Sequence, residues 1–408
     1  MDETGAVVLP PVCLTAWDET DGQWTQDPKK ALWPICVGQW YGYVNHRGQI
    51  QIMPRFDLAE PFIDELGLGP VQFGGKRDGG TYGPVGSKWG FINRAGKFVI
   101  QPEYTGYQSL GRGGHNGGLL PVAIGGEAMP DGLWRNQKWG FIDSQGNVVI
   151  PFRYDGVFPF KDDSAIVGIR VPQAGPSDVG DETASTGDDM GTIAAKWGVI
   201  DRQGREVIPM EFDELGYFSD GLACVRKGKK CGFVNPRGQT AIPLTFDDAY
   251  GFCGGTAPAK LGGKWGFIDR KGRWVVKPTY EDVGGFEDGL CAVKASGKWG
   301  LVDTAGHLVV PPRFEAFGSS ASVFDFLEGR RAVFSNGLCA VRVGELWGYI
   351  DRSGALRIEA TFASARRFVN GLALVNSKPG APGEYGRTYY IDTRGREVGA
   401  YYRDHDDQ

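Results

Sequence analysis

A short phrase recurs along this chain, and its clearest copy is Lys264-Trp265-Gly266-Phe267-Ile268-Asp269-Arg270-Lys271-Gly272. With a worn last copy included, it occurs nine times, starting at Tyr41, Trp89, Trp139, Trp197, Cys231, Trp265, Trp299, Trp347 and, without its Trp-Gly, Tyr390. Such self-similarity means that each copy is one small supersecondary unit, which buries its apolar face only by stacking on its neighbours. The chain is therefore predicted to be a repeat protein.

Every copy keeps the same internal spacing. Eight residues after the turn glycine stands an aromatic residue in eight copies, namely Phe56, Tyr104, Tyr154, Phe212, Phe246, Tyr280, Phe314 and Phe362. A second aromatic residue often follows six positions later, and a Gly-Leu step such as Gly221-Leu222 then opens an apolar run. Positions that recur in this way indicate structural roles shared by all copies.

The turn residues of each copy predict three antiparallel strands. The Asp/Asn-x-x-Gly step, as in Asp303 to Gly306, is typical of a hairpin, because the Asp side chain accepts from backbone N–H groups and glycine takes the positive φ. The Trp-Gly segment is then one strand and the Val-rich segment after the turn is its partner. Proline, which lacks the N–H of a central ladder, is expected to end that partner, as at Pro278. The Gly-Leu run is the third strand.

The glycine after each Trp is expected to leave room for a ring or a backbone to approach closely. Both faces of the Trp-Gly strand carry bulky apolar side chains, as Phe267 and Ile268 show. The sheets should therefore be covered by neighbouring units on both faces.

The predicted fold is all-β, with tandem three-stranded antiparallel β-meander repeats stacked in an open solenoid-like array. A closed propeller-like ring is the alternative, although propeller blades typically have four strands and about 40 residues or more. Residues 1–30 are predicted to form an N-terminal cap, and 31–376 to form eight repeats with insertions. Residues 377–408 are expected to be a degenerate ninth repeat, a C-terminal cap and an acidic tail, because a terminal repeat has one uncovered face.

The phrase Lys-Trp-Gly-Phe-Ile-Asp-x-x-Gly, followed by Val-Ile-x-Pro-x-Tyr/Phe and Gly-Leu-x-x-Val, resembles the WG-repeat family, also called KWG repeats. The resemblance covers roughly residues 31–402. The chain departs from the pattern with Tyr41 and Cys231 at the Trp position and Glu359 at the proline position. The resemblance implies a bacterial protein whose copies form a β-rich interaction platform rather than an enzyme.

Composition and charge limit the classes of function. With 12% aromatic residues the chain falls outside the disordered class, and its net charge of −5 gives no sign of a nucleic-acid surface. No apolar stretch approaches the roughly 18 residues of a membrane span, and the first residues lack the basic region of a secretory signal. We therefore expect a cytoplasmic protein without a nucleic-acid or membrane partner.

No catalytic, cofactor or metal site is predicted. The seven cysteines contain no Cys-x-x-Cys pair and the four histidines are scattered, so reduced core thiols are expected rather than a zinc site. Aspartate recurs at the hairpin position, as in Asp143 and Asp201, and the turn that every copy makes explains it better than acid–base catalysis does. Neither a phosphate loop nor a nucleophile elbow occurs, so we expect no enzyme.

Insertions into the repeat indicate a binding surface. Most enter the hairpin between a Gly-Leu strand and the next Trp-Gly strand, at 75–87, 126–137, 172–195 and 378–387, and one, 318–332, precedes a Gly-Leu strand. Equivalent loops of stacked units project from one edge, and binding residues usually lie on such loops. The candidate partner-binding residues are Tyr82, Trp134, Arg135, Asp178, Asp181, Glu182, Asp188 and Asp189.

The resulting interpretation is a non-catalytic interaction scaffold that binds a partner protein through these loops. Tyr82, Trp134 and Arg135 are residue types that dominate interface energetics. The acidic loop 172–195 suits a basic partner, as in an immunity protein that blocks a bacterial toxin, or is simply a solvated tether. The alternatives for the whole chain are a carbohydrate- or cell-wall-binding array and an enzyme with an unrecognised site.

Overall fold

The computed structural model describes residues 31–45, 47–76, 84–109, 117–129, 134–171, 195–318, 334–369, 371–378 and 386–400. Within these ranges all regular structure is antiparallel β-sheet, and no helix is present. The all-β class and the tandem repeats are thus confirmed. The chain forms two compact units, which divide between Leu215 and Gly216, whereas the predicted cap of residues 1–30 lies outside the described residues.

The first unit contains four successive sheets. In spatial order their strands are β1 (Trp33–Val37), β2 (Trp40–Val44) and β3 (Ile50–Phe56); β4 (Leu58–Ala59), β5 (Gly69–Phe73), β6 (Lys88–Ile92) and β7 (Phe98–Tyr104); β8 (Gly106–Tyr107), β9 (Leu120–Ile124), β12 (Lys138–Ile142) and β13 (Val148–Tyr154); and β14 (Gly156–Val157), β15 (Ser164–Arg170), β16 (Ala195–Asp201) and β17 (Glu206–Phe212). A separate hairpin, β10 (Glu127–Ala128) and β11 (Trp134–Arg135), lies in the insertion between β9 and β12. The unit ends with β18 (Glu214–Leu215).

The second unit repeats this arrangement. Its strands are β19 (Ala223–Lys227), β20 (Lys230–Val234) and β21 (Thr240–Phe246); β22 (Asp248–Ala249), β23 (Thr256–Leu261), β24 (Lys264–Asp269) and β25 (Trp274–Tyr280); β26 (Asp282–Glu287), β27 (Leu290–Ala295), β28 (Lys298–Asp303) and β29 (Leu308–Phe314); β30 (Ala316–Phe317), β31 (Cys339–Val343), β32 (Leu346–Ile350) and β33 (Leu356–Phe362); and β34 (Ser364–Ala365), β35 (Leu372–Asn376), β36 (Thr388–Asp392) and β37 (Glu397–Ala400).

The sheets differ from the predicted meander in phase and in strand number. Each Gly-Leu strand pairs with the next Trp-Gly strand, as β23 does with β24, so a sheet begins one strand before the Trp-Gly phrase. A two-residue strand such as β22 adds a fourth strand beside the Gly-Leu strand. Two residues are too short to show the alternation that predicts a strand from sequence.

Proline lies within the last strand of most sheets and does not end it, contrary to our expectation. Pro278 stands inside β25, between Val276, which faces Phe267, and Tyr280, which faces Trp265. Between these two pairs, β25 advances by four residues while β24 advances by two. The extra residues of β25 therefore bulge out of the ladder. Because β25 is also an outer strand, a residue without an N–H is tolerated there.

The glycine after each Trp marks the point where the outer strand crosses most closely. A Cβ atom on Gly266 would lie 2.4 Å from the carbonyl oxygen of Val276 and 2.8 Å from the backbone nitrogen of Pro278. Equivalent backbone contacts occur at Gly42, Gly90, Gly140, Gly198, Gly232, Gly300 and Gly348. The predicted close approach is therefore confirmed, and the approaching group is backbone.

The Asp-x-x-Gly hairpins form as predicted. Asp269 Oδ1 accepts from the backbone N–H groups of Lys271 and Arg273, each at 2.9 Å, and Gly272 has a φ of 76°. The hydrogen bond from the Arg273 backbone lowers the pKa of Asp269. This carboxylate is thus held as the acceptor of a turn.

Successive sheets within a unit stack on one another through their cores. Phe267 is fully buried and packs against Tyr280 and Phe286 of its own and the next sheet, with ring centroids 5.9 Å and 5.2 Å apart. A Cβ atom on the turn glycine Gly354 would lie 2.6 Å from Val310 of the preceding sheet. Each sheet therefore covers the apolar face of its neighbour, as repeat stacking requires.

Candidate functional site

The turns that join a Gly-Leu strand to the next Trp-Gly strand form what we call the hairpin edge. In the first unit, the last or next-to-last residues of the strands that lead into these turns are Val37, Phe73, Ile124 and Ile169, which are each 39–42% exposed. Trp40, which faces Val37 across the first turn, is 43% exposed. Large apolar side chains are thus presented to solvent at the same position of four consecutive sheets.

This apolar row follows from the strand pairing. In β9 the side chains of Val122 and Ala123 are buried, and Ile124 emerges at the turn as the strand leaves the core. Ile124 faces Lys138, the lysine that precedes Trp-Gly, and Ile169 likewise faces Lys196. Side chains that face each other across antiparallel strands lie on the same face of the sheet, so Ile124 and Ile169 each have a lysine beside them.

Two lysines of this edge, Lys138 and Lys196, are paired with carboxylates. Lys138 Nζ lies 2.6 Å from Asp155 Oδ1, and Asp155 Oδ2 accepts from the backbone N–H of Arg170 at 2.9 Å. Asp155 follows the last strand of one sheet and Arg170 belongs to the next sheet. We call such a residue a bridging carboxylate, because it connects the lysine of its own sheet to the hairpin of the following sheet.

The second unit contains the same bridges. Asp247 accepts from Lys230 Nζ at 2.7 Å and from the Gly262 backbone at 2.7 Å. Glu315 accepts from Lys298 at 2.5 Å and from Gly344 at 2.9 Å. Our sequence analysis missed this role, although an acidic residue directly after the first aromatic residue of most copies was a visible signal.

The bridging carboxylates predict acid-sensitive stability. The side-chain hydrogen bonds from Lys230 and Lys298 lower the pKa of Asp247 and of Glu315, respectively. A folded-state pKa below the unfolded value, which is about 4 for carboxylates, gives stability that is present above pH 4 and is lost as pH falls through the lowered pKa. We expect the free energy of unfolding, measured by denaturant titration, to fall in that window.

The matched variant carries Asp247→Asn and Glu315→Gln, which remove both titrations. Its unfolding free energy should be lower than that of the parent at pH 7, and it should depend less steeply on pH below pH 4. Parallel pH profiles for the two proteins would show that these bridges do not contribute.

In the first unit the inserted hairpin β10–β11 is fixed between its neighbours. Trp134 is half-buried, and its Nε1 donates to the Ser87 carbonyl oxygen of the preceding sheet at 3.1 Å. Asn136, just after β11, accepts from Arg170 Nη1 of the following sheet at 3.0 Å. Three consecutive hairpins are therefore in direct contact along this edge.

The first bridging position is the most deeply buried one. Asp57 is 5% exposed and accepts from the Gly75 backbone at 2.8 Å and from Ser87 Oγ at 2.9 Å. Ser87 in turn accepts the indole N–H of Trp134 through its carbonyl oxygen. Asp57 and Trp134 thus both hydrogen-bond to Ser87, one through its side chain and one through its backbone.

The structure places only two of the eight predicted partner-binding residues. Trp134 and Arg135 are both half-buried on β11, and Trp134 makes the internal contact just described. Partner contact by these two residues stays a prediction. The other six residues, for which the same holds, lie outside the described part of the chain: Tyr82, Asp178, Asp181, Glu182, Asp188 and Asp189.

The opposite edge, formed by the Asp-x-x-Gly turns, is occupied by internal contacts. Arg202 lies over the Phe160 ring at 5.3 Å and pairs with Asp163 at 2.9 Å. Arg94 is placed in the same way over Phe62, with Asp64 as its acceptor. Because these charged groups serve the stack itself, the hairpin edge is the better candidate for an interaction surface.

Other kinds of site were also sought. Among the described residues, no group of three or more His, Cys, Asp and Glu side chains is arranged to hold a metal ion. The six described cysteines form no disulfide with one another, and Cys231, Cys291 and Cys339 are buried. Nor does the described chain contain a helix able to cross a membrane.

Several solved structures resemble the chain at low sequence identity. A eukaryotic initiation factor shares 10% identity over 90% of this chain and 94% of its own, with a TM-score of 0.47. Dihydro-heme d1 dehydrogenase NirN shares 13% over 92% and 74%, with a TM-score of 0.34, and a puromycin hydrolase shares 13% over 75% and 57%, with 0.29. At such TM-scores these likenesses carry no functional argument. No curated protein matches the chain.

The sequence does match one family model along most of its repeats. The model describes a WG-containing repeat, and its matches cover residues 41–76, 89–114, 139–169, 197–231, 232–265, 265–299, 299–322 and 347–378. These eight matches span more than half of the chain and begin at or next to the Trp-Gly positions whose backbone contacts were described above. The chain belongs to the family of WG-containing repeat proteins.

Proposed function

We propose that this chain is a non-catalytic scaffold that binds a partner protein through the hairpin edge of residues 31–215. The observation that carries the proposal is the apolar row of Val37, Phe73, Ile124 and Ile169, which are exposed to nearly the same extent in four successive sheets. An exposed apolar surface that continues over several elements is typical of an interaction site.

The chemistry of the row favours a protein as its partner. Three of its four side chains are aliphatic, and these pack against apolar protein surface but cannot stack on sugar rings as aromatic rings do. Lys138 and Lys196 are each paired with a carboxylate, so their charge is already compensated and little attraction for phosphate is left. A protein with an apolar strip fits this surface.

The rigidity of the edge also supports binding. The contacts of Trp134 and Asn136 hold the inserted hairpin against both neighbouring sheets. A surface that is fixed before binding loses less conformational entropy when it meets a partner. The acidic loop 172–195 enters at the same edge, between β15 and β16, and the more specific prediction of a basic toxin as the partner depends on that loop.

The test compares two double variants of equal chemistry. Ile124→Asp with Ile169→Asp places charges in the apolar row, and Val149→Asp with Val207→Asp places them on outer strands of the same unit, where both valines are also exposed. A partner is captured from native cell extract with the intact chain, identified, purified and titrated against each variant. Removing central interface contacts should weaken binding at least about tenfold for the first variant.

The second variant should bind the purified partner within a factor of two or three of the parent. The parent and both variants must have the same melting temperature, which shows that any loss of binding does not result from unfolding. Equal binding by both variants, or loss only in the outer-strand variant, would place the interface elsewhere. Binding of a glycan instead of a protein would favour the carbohydrate alternative.

A further inference from the structure

In the second unit, acidic and basic residues face each other at one fixed position of successive sheets. The strand that lies outside the Gly-Leu strand, such as β22, begins with a residue that faces a basic residue of the Gly-Leu strand. That basic residue also faces the Trp position of the same sheet. In three successive sheets the pairs are Asp248 with Lys260, Asp282 with Lys294, and Ala316 with Arg342. The third pair keeps the cation but lacks the carboxylate.

The aspartate of such a pair lies between cations of two sheets. Asp248 Oδ1 is 2.6 Å from Nη2 of Arg226, which belongs to the preceding sheet, and Lys260 of its own sheet faces Asp248 across the ladder. The Asp248 and Arg226 side chains are 35% and 22% exposed, so solvent ions screen this pair less than a fully exposed one. A carboxylate at this point compensates the cations on either side.

Ala316 occupies the position of Asp248 in a later sheet. Each of the two residues comes two positions after the aromatic residue that faces the Trp position of the preceding sheet. The cations on either side of Ala316 are Lys294 of the preceding sheet and Arg342 of its own sheet. Because an alanine side chain ends at Cβ, the chain supplies no carboxylate between these two cations at this position.

Arg342 lacks an acceptor for part of its guanidinium group. The side chain is half-buried on β31, and its Nε atom is buried without a hydrogen-bond partner in the described part of the chain. The neighbouring Glu315 carboxylate is already bound by Lys298 Nζ and by the Gly344 N–H. The first residue of β34 in the following sheet, Ser364, is neutral. Leaving a buried donor of a charged group unpaired is costly, so an acceptor from outside the chain is favoured here.

Lys294 supplies the second cation. Its Nζ lies 5.8 Å from the centroid of the Trp299 ring, and the corresponding Lys260 Nζ lies 5.6 Å from the Trp265 ring. The attraction between an ammonium group and the face of an aromatic ring holds both lysines in the same way. A cation that is already held in place loses little conformational entropy when it binds an anion.

We propose that Lys294 and Arg342 form a binding site for a carboxylate, which takes the position that Asp248 occupies between the earlier sheets. The planar guanidinium group offers parallel N–H donors that match the two oxygens of a carboxylate. The carboxylate belongs either to an acidic side chain of a bound protein or to a small organic acid. Because the site lies outside residues 31–215, it is independent of the proposed function.

The test follows the Nε–H signal of Arg342 by nuclear magnetic resonance in the isotope-labelled, full-length chain. Sodium acetate is the first probe and replaces sodium chloride at constant ionic strength, so that only the chemistry of the anion changes. The signal is assigned as the arginine Nε–H peak that disappears in Arg342→Lys. We expect this peak to shift saturably with acetate, because a carboxylate bound to the guanidinium group changes the environment of Nε.

Two alanine variants of equal chemistry distinguish this site from a general effect of charge. Ala316→Asp supplies the carboxylate from the chain itself, so it should shift the Arg342 peak without acetate and weaken acetate binding at least about tenfold. Ala355→Asp adds the same charge at an exposed turn residue of the same sheet. This control should leave the peak position unchanged and the affinity for acetate within about twofold of the parent.

A second probe separates the two sources of the carboxylate. It is a tripeptide with blocked ends and one aspartate between two glycines. Binding at least about tenfold tighter than that of acetate indicates an acidic side chain of a protein as the ligand, and equal affinity indicates a small organic acid. The absence of a saturable shift with both probes would overturn the proposal, and so would acetate binding by Ala316→Asp that equals binding by the parent.

Discussion

Replacement of Phe267 by Ala is expected to lower the free energy of unfolding by about 3–5 kcal/mol, the usual range for truncating a buried Phe. Phe267 is fully buried on β24, and its ring contacts both Tyr280 of the same sheet and Phe286 of the next. Truncation therefore opens a cavity at a point where two sheets meet, and the backbone ladders on either side restrict its collapse. Denaturant unfolding of parent and variant measures the difference.

The matched control is Leu261→Ala in the same sheet. Leu261 is 41% exposed at the end of β23, so its replacement should change stability by no more than about 0.5 kcal/mol, as for other surface positions. Comparable losses for the two variants would mean that the packing between sheets does not determine stability as described.

Replacement of Gly266 by Ala should lower the unfolding free energy by about 3 kcal/mol, near the upper end for overpacking. The added methyl group would lie 2.4 Å from the Val276 carbonyl oxygen and 2.8 Å from the Pro278 nitrogen. Both obstacles are backbone atoms of β25, which cannot rotate away as a side chain can. The outer strand must move as a whole, and this movement weakens its backbone hydrogen bonds to the Trp-Gly strand.

Gly251→Ala is the control for the loss of a glycine. A Cβ atom at Gly251 would meet nothing within 4 Å, so this variant should be as stable as the parent or up to about 1 kcal/mol more stable, because the unfolded chain loses entropy. If Gly266→Ala behaves like Gly251→Ala in denaturant unfolding, the Trp-Gly glycine is not required by the crossing strand.

The fold could largely be predicted from sequence because its signals recur in many copies. The hairpin of Asp269 to Gly272 and the close approach at Gly266 depend on local chemistry, which a single copy already contains. The phase of the sheets could not be read in this way. Turn residues stand on both sides of every strand, and only the pairing of β23 with β24 shows where one sheet ends and the next begins.

The candidate site was predicted in its location but not in its composition. Loop lengths identified the hairpin edge, whereas the apolar row was missed, since Ile124 and Ile169 look like ordinary strand residues until the turn exposes them. The bridge from Lys138 through Asp155 joins residues of adjacent sheets, so its pairing was invisible before the stacking was known. Trp134 was expected at a partner surface, and its indole group also holds the edge together.

The most direct test of the proposed function is hydrogen–deuterium exchange of the intact chain with and without its bound partner. Binding at the hairpin edge predicts slower exchange in the segments around Val37, Phe73, Ile124 and Ile169, and unchanged exchange in the Asp-x-x-Gly turns of the same unit. Protection confined to those turns or to the outer strands, with the hairpin edge unchanged, would contradict the proposal.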